Sequence, residues 1–126
     1  MTWKELKRGS KIYIGNPVYN GENFTGYTIE PKILKKGITP EGVLEFKVEN
    51  KTRRVLVSPD LLETSKPWRS NPGVIFVALE YNEAKDTASD LIHGRIIELQ
   101  ETAAKIYTLM RNLEENREEL WNAREE

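Results

Sequence analysis

The sequence predicts an α+β fold in which a small antiparallel β-sheet precedes a long C-terminal α-helix or helical hairpin. Two observations carry this prediction. Residues 44–49 alternate apolar and charged side chains, which is the period-2 pattern of a half-buried strand. From Ile92 onward, apolar residues recur at intervals of three, four and seven, which is the pattern of a helix that packs against another helix. The length predicts one structural domain overall, and the change of pattern divides it into a β part, residues 1–79, and a helical oligomerisation segment, residues 80–126.

The β part contains five segments with the composition of short strands. Asn20-Gly21 and Glu41-Gly42 mark turns between them, and Asn50-Lys51-Thr52 marks the turn of a hairpin. Residues 74–78 are continuously apolar, which predicts the central strand of the sheet. The predicted strands are residues 11–14, 27–34, 44–49, 53–58 and 74–78. Five short strands with tight turns are typical of a strongly bent antiparallel sheet or an SH3-like barrel.

Between the hairpin and the last strand, the sequence predicts one helical turn and a loop. Ser58 precedes Pro59, and proline at the first helical position after a serine cap is a common helix start. Residues 65–73 are rich in serine, proline and glycine, which predicts an irregular loop.

The helical part predicts one long helix that Asn82 caps at its N-terminus. Unbroken to about residue 122, it would be about 60 Å long, and Gly94 and Asn112 are the places where it could fold back. Its apolar residues form a coiled-coil seam, which consists of Ile92, Ile96, Leu99, Ala103, Ile106, Met110, Leu113 and Leu120. We therefore expect a homodimer or higher oligomer. The alternative is a helical hairpin that packs wholly on its own sheet.

The composition excludes several kinds of site. The 126 residues include no cysteine, which excludes disulfides and thiolate chemistry, and His93 is the single histidine. No nucleophile–base pair or metal cluster is visible, so we expect a non-enzyme without metal or cofactor. The charged N-terminus is no signal peptide, and no apolar run approaches the ~20 residues of a membrane span. We therefore expect a cytoplasmic protein, in the host cytoplasm if the source is viral.

Charge is distributed unevenly along the chain. Residues 1–60 carry 11 basic and 7 acidic residues, a net of +4, whereas residues 61–126 carry 8 basic and 13 acidic residues, a net of −5. This asymmetry indicates a basic ligand-binding region followed by an acidic C-terminal extension. The alternative is that the acidic residues only solvate an exposed helix. The overall charge of −1 argues against a nucleic acid as the partner.

Cationic and aromatic side chains supply the candidate ligand-binding residues. Arginine forks match phosphate oxygens, and an indole face suits a base or a cation. The candidates are Arg54, Trp68, Arg69, Arg95 and Arg111. The alternative is that Trp68 fills the end of the barrel while the arginines pair with glutamates.

The opening residues, Trp3-Lys4-Glu5-Leu6-Lys7-Arg8-Gly9-Ser10-Lys11-Ile12-Tyr13-Ile14, resemble those of small SH3-like barrel proteins of bacteriophages. In those proteins an apolar strand also runs straight into a helix, as residues 74–78 run into Asn82-Glu83-Ala84 here. The layout is similar to that of the phage anti-Thoeris sponge family. Members of that family bind a cyclic ADP-ribose immune signal without cutting it, in pockets where subunits meet. The resemblance carries over none of the family's ligand residues.

Two functional hypotheses follow. In the first, the chain is a non-catalytic, oligomeric phage-type protein that sequesters a small phosphate-bearing ligand, such as a nucleotide immune signal. In the second, it is an SH3-like interaction module in which Pro67, Trp68 and the seam bind a host or viral protein. Nucleic-acid binding by the basic β part is a third hypothesis, which would require affinity that falls steeply with salt.

Overall fold

The computed structural model describes residues 1–70 and 75–123. In chain order, its elements are a 3₁₀ turn (Trp3–Glu5), β1 (Lys11–Asn20), β2 (Asn23–Ile33), β3 (Val43–Val48), β4 (Lys51–Leu56), α1 (Pro59–Leu62), β5 (Trp68–Arg69), β6 (Phe76–Ala78) and α2 (Tyr81–Asn122). The strands form a four-stranded sheet in the order β2-β1-β6-β5 and a separate β3–β4 hairpin, all antiparallel. The predicted α+β class is confirmed, but the described strands do not close into a barrel.

The β1–β2 hairpin is longer than predicted. Its register runs from Lys11 opposite Ile33 to Asn20 opposite Asn23, with a bulge beside Val18. The predicted first strand ends at residue 14, whereas β1 continues through Gly15 to Asn20, although glycine usually weakens a strand. Here Gly15 remains in the ladder because its missing side chain makes room for the Phe76 ring on the neighbouring strand.

The last predicted strand corresponds to β6, Phe76–Ala78. The central position of the last strand is correct, since β6 lies between β1 and β5. Residue 74, its predicted first residue, lies outside the described part of the chain, as do residues 71–73 of the predicted loop. The remainder of that loop is not wholly irregular, because Trp68–Arg69 forms the short strand β5 and pairs with β6.

The β3–β4 hairpin turns one residue earlier than predicted. Glu49 and Asn50 both have positive φ angles, 50° and 66°, and Val48 pairs with Lys51. A two-residue loop with two left-handed residues is a type I′ turn, whose twist matches that of the flanking strands. The predicted turn at residues 50–52 is therefore corrected to Glu49-Asn50.

The hydrophobic core joins one face of the larger sheet to the β3–β4 hairpin and the N-terminal turn. Trp3 is its largest member, and its indole Nε1–H donates a hydrogen bond of 2.8 Å to the Lys66 carbonyl. A buried indole requires such a partner, because an unpaired N–H in the core is costly. The other buried members are Leu6, Ile12, Ile14, Leu34, Leu44, Phe46, Val55, Val57, Val77 and Leu79.

The long C-terminal helix is confirmed, and it is continuous through Gly94 and Asn112. The predicted alternative of a helical hairpin is therefore wrong. The helix begins at Tyr81, so Asn82 lies inside its first turn and is not the N-cap. Nowhere in the described ranges does a helix have the length and apolarity that a bilayer crossing requires.

The chain divides into two compact units, Met1–Asp90 and Leu91–Glu126. The first unit includes the opening turns of α2, where Ala84, Thr87 and Ala88 form a buried face. In the second unit, by contrast, every described residue from position 93 onward is exposed.

Candidate functional site

A groove of about 460 Å³ opens between the end of β2 and the β3–β4 hairpin. This volume falls within the range of small-molecule binding sites. Four lysines dominate its lining, and the full set of lining residues is Lys32, Ile33, Lys35, Lys36, Glu45, Phe46, Lys47, Glu49, Asn50 and Thr52. We call this feature the lysine groove.

One wall of the lysine groove is anchored by the residue that follows β2. Leu34 is 2% exposed, its N–H donates to the Ser10 carbonyl, and its carbonyl accepts from Gly9 N–H, both at 2.8 Å. Three residues later, Gly37 packs so tightly that a Cβ would lie 2.8 Å from the Leu6 carbonyl oxygen. The two residues between these anchors, Lys35 and Lys36, are exposed. The backbone is thus fixed while the two ammonium groups face solvent.

The other wall follows from strand alternation in the β3–β4 hairpin. Phe46 is buried in the core, so its neighbours Glu45 and Lys47 project to the other face of the hairpin. On β4, their cross-strand partners are Arg54 and Thr52. Arg53 and Arg54 therefore lie on opposite faces of β4, since Arg53 pairs with Phe46 and Arg54 with Glu45.

The lysine groove carries excess positive charge. Its lining contains four lysines and two glutamates, and none of the four lysines forms an ion pair with a described residue. One glutamate is already engaged, because Glu45 Oε1 lies 2.7 Å from the Nε of Arg54. Several cations in one concave surface raise the local concentration of anionic ligands.

The structure places the five predicted ligand residues in different surroundings. Arg54 borders the lysine groove through its ion pair with Glu45. Trp68 packs against the core, and its Nε1–H donates to the Leu56 carbonyl at 3.2 Å. This packing favours the alternative in which Trp68 is a structural residue. Arg69 pairs with Phe76 on the neighbouring strand.

The two helical candidates lie in the second unit. Arg95 Nη1 is 3.1 Å from Glu98 Oε2, an ion pair within the helix. Arg111 lies sixteen residues farther along, which is about 24 Å along the axis and nearly on the opposite side of the helix. Within one chain, Arg95 and Arg111 therefore do not converge on one small ligand.

A row of aromatic rings, which no pattern in the sequence indicated, lies on the face of the larger sheet opposite the core. The Tyr19 and Phe24 centroids are 6.2 Å apart, Phe24 and Tyr27 are 5.2 Å apart, and Tyr27 and Phe76 are 5.2 Å apart. Burial raises the pKa of the Tyr27 hydroxyl, and Tyr19 adds to this, while the charge of Arg69 opposes it. The rings come from β1, β2 and β6, and only the register of these strands brings them side by side.

One further titratable group lies at the start of α2. Oε2 of Glu83 is buried and accepts no hydrogen bond from the described residues. Burial raises the pKa of the Glu83 carboxyl, Glu80 and Asp86 raise it further, and the N-terminal ammonium lowers it. In residues 1–70 and 75–123, no group of three or more acidic or histidine side chains is placed to hold a metal ion.

No family model, curated protein or solved structure matches this chain. The resemblance to phage sponge proteins therefore remains a prediction from the sequence.

Proposed function

We propose that this protein binds a small phosphate-bearing ligand in the lysine groove and that it acts as a homo-oligomer assembled through α2. The observation that carries the ligand proposal is the convergence of Lys32, Lys35, Lys36 and Lys47 around a volume of about 460 Å³. Lysine ammonium groups are compact, mobile charges that bind phosphate oxygens from several directions.

The remaining lining suits a ligand with an uncharged part. Ile33 is 64% exposed and offers apolar surface at the rim. Asn50 and Thr52 supply hydrogen-bonding groups on the opposite wall. A nucleotide combines these features, since it joins phosphates to a sugar and a flat base. Sequestration of a nucleotide immune signal without turnover remains the hypothesis suggested by the resemblance to sponge proteins.

The oligomer proposal is supported by the seam of α2. The helix is continuous, so the seam cannot be covered by a hairpin of the same helix. At one heptad position, Leu99, Ile106, Leu113 and Leu120 are between 51% and 70% exposed in the single chain. A long helix gains most of its stability by burying such a face, which a second helix would do.

The alternative of a protein-interaction module centred on Trp68 receives less support. The Trp68 indole is half-buried against the core, and its N–H is held by the Leu56 carbonyl. Much of its surface is therefore already used within its own fold.

Calorimetric titration with ADP and with inorganic pyrophosphate tests the ligand proposal. A double variant, Lys35→Gln with Lys36→Gln, should weaken binding about tenfold or more, because two phosphate-facing charges are removed. The matched control, Lys7→Gln with Lys105→Gln, removes the same charge at exposed positions outside the lysine groove and should change affinity less than about twofold. Equal losses in both variants, or no saturable binding of either probe, would contradict the proposal.

A further inference from the structure

We infer that two copies of this chain pair through α2 in antiparallel orientation, with Ile96 of each copy opposite Leu120 of the other. The inference rests on the proposed homo-oligomer and adds the direction of its helices. Three features of the described helix, each independent of the others, support it.

The first feature is Arg117, which interrupts the seam. It falls on the same heptad stripe as Ile96, Ala103 and Met110. In a parallel pair, equal positions face each other, so two Arg117 side chains would be forced together in the interface. In the antiparallel pair Arg117 instead faces Leu99 of the second copy. Its methylenes can then pack on that leucine while the guanidinium reaches solvent.

The second feature is the charge gradient along the helix. Residues 91–111 carry three basic and two acidic residues, a net of +1, whereas residues 112–123 carry one basic and four acidic residues, a net of −3. A parallel pair would set the two acidic segments side by side, where they repel. The antiparallel pair sets each acidic segment against residues 93–104 of the other copy, which carry one basic and two acidic residues, a net of −1, so the repulsion is weaker.

The third feature is a pair of exposed apolar residues beside the seam, Tyr107 and Leu109. In a parallel pair their neighbours across the interface would be Thr102 and Glu114 of the second copy, which leaves Leu109 beside a carboxylate. In the antiparallel pair both residues lie next to the centre, near position 108, where each meets its own counterpart. Apolar surface then covers apolar surface on both sides of the seam.

The same register also matches residue sizes within the seam. It places Ala103 opposite Leu113 and Ile106 opposite Met110, so the smallest seam residue receives a large partner. Interfaces pack at the density of protein interiors when small and large side chains alternate in this way.

Spin-label distance measurements distinguish the two directions. Because the chain has no cysteine, Thr108→Cys and Asn122→Cys each introduce a single labelling site, and the two positions share the outer face of the helix. In the antiparallel pair, the two labels at position 108, one in each copy, lie at nearly the same height along the helix axis. The two labels at position 122 lie about 42 Å apart along that axis. A parallel assembly of any size predicts equal distances at both positions. Equal distances would overturn the antiparallel pair while leaving the oligomer intact, and a monomer by sedimentation would overturn both.

A matched pair of substitutions gives a second readout by sedimentation equilibrium. Leu113→Glu places a carboxylate opposite Ala103 of the second copy, and it should raise the dimer dissociation constant about 100-fold or more. Leu99→Glu makes the same change opposite Arg117 of the second copy, and it should raise that constant less than about tenfold. Equal losses would contradict the antiparallel pair, since a parallel pair would place two carboxylates face to face in both variants.

Discussion

Gly15 on β1 lies opposite Phe76 on β6, and a side chain at Gly15 would overlap the Phe76 ring. The ring is fully buried and contacts Tyr27 on β2, with centroids 5.2 Å apart. One aromatic side chain thus spans three neighbouring strands because the middle strand carries no Cβ at that position. This contact fixes how the last strand joins the β1–β2 hairpin.

Gly15→Ala should therefore destabilise the protein by about 1–3 kcal/mol, because the added methyl must displace a buried ring. Denaturant unfolding followed by circular dichroism measures the change. Gly94→Ala is the matched control, since a Cβ at Gly94 meets nothing within 4 Å and lies in the middle of α2. That control should stabilise the helix by up to about 1 kcal/mol. A loss of stability in the control, or none in Gly15→Ala, would contradict this account of the two glycines.

Glu49→Asn should change both the turn and the lysine groove. Glu49 has a φ of 50° in a type I′ turn, where asparagine is preferred, so we expect a gain in stability of about 0.5 kcal/mol. The substitution also removes a negative charge from the groove lining, so affinity for ADP should rise. Thermal melting and calorimetric titration report the two effects separately.

The matched control for that substitution is Glu22→Asn. Glu22 follows Gly21 in the β1–β2 turn, and among the described residues other than glycine only Glu49 and Asn50 have positive φ angles. The control makes the same charge change outside the lysine groove and outside a left-handed position. It should raise neither the melting temperature nor the ADP affinity.

Glu83 should make stability depend on pH. The pKa of its carboxyl is raised above the ordinary value of 4.5, so the folded chain holds this proton to a higher pH than the unfolded chain does. Protonated Glu83 therefore contributes to the free energy of unfolding below the ordinary pKa. This contribution is lost as the pH rises through the pKa that Glu83 has in the folded chain. Relative to wild type, Glu83→Gln should therefore become more stable as pH rises from about 4 to about 7. Thermal melting of both proteins at several pH values measures this. A difference in melting temperature between Glu83→Gln and wild type that does not change with pH would contradict the prediction.

Salt should weaken ligand binding in the lysine groove. The lysines that line it are exposed or half-buried, so their attraction for a phosphate is partly screened by ions. We expect the affinity for ADP to fall about three- to tenfold between about 50 mM and about 200 mM sodium chloride. An affinity independent of salt would mean that apolar contacts, and not the lysines, dominate binding.

Local patterns predicted much of the fold. The alternation at residues 44–49 identified β3, the apolar run at 74–78 identified the central strand, and the seam identified α2. The errors came where tertiary contacts override local preference. Gly15 indicates a strand end in isolation, and only the presence of Phe76 on the next strand explains why β1 continues.

The candidate site was harder to predict than the fold. Lys32, Lys35 and Lys36 are separated from Lys47 by more than ten residues, and only the packing of the hairpin beside the end of β2 brings them to one groove. The candidates predicted from the sequence were mostly arginines, because the forked guanidinium group suits phosphate. Two of those arginines, Arg54 and Arg95, form ion pairs with glutamates, which is what the alternative to ligand binding predicted.

The most direct test of the ligand proposal is a titration of ¹⁵N-labelled protein with ADP, followed by amide chemical shifts. We predict saturable shifts concentrated at residues 32–36 and 45–52, the two walls of the lysine groove. Shifts centred on Trp68 and Arg69, or no saturable shifts at all, would contradict the assignment of the groove as the binding site.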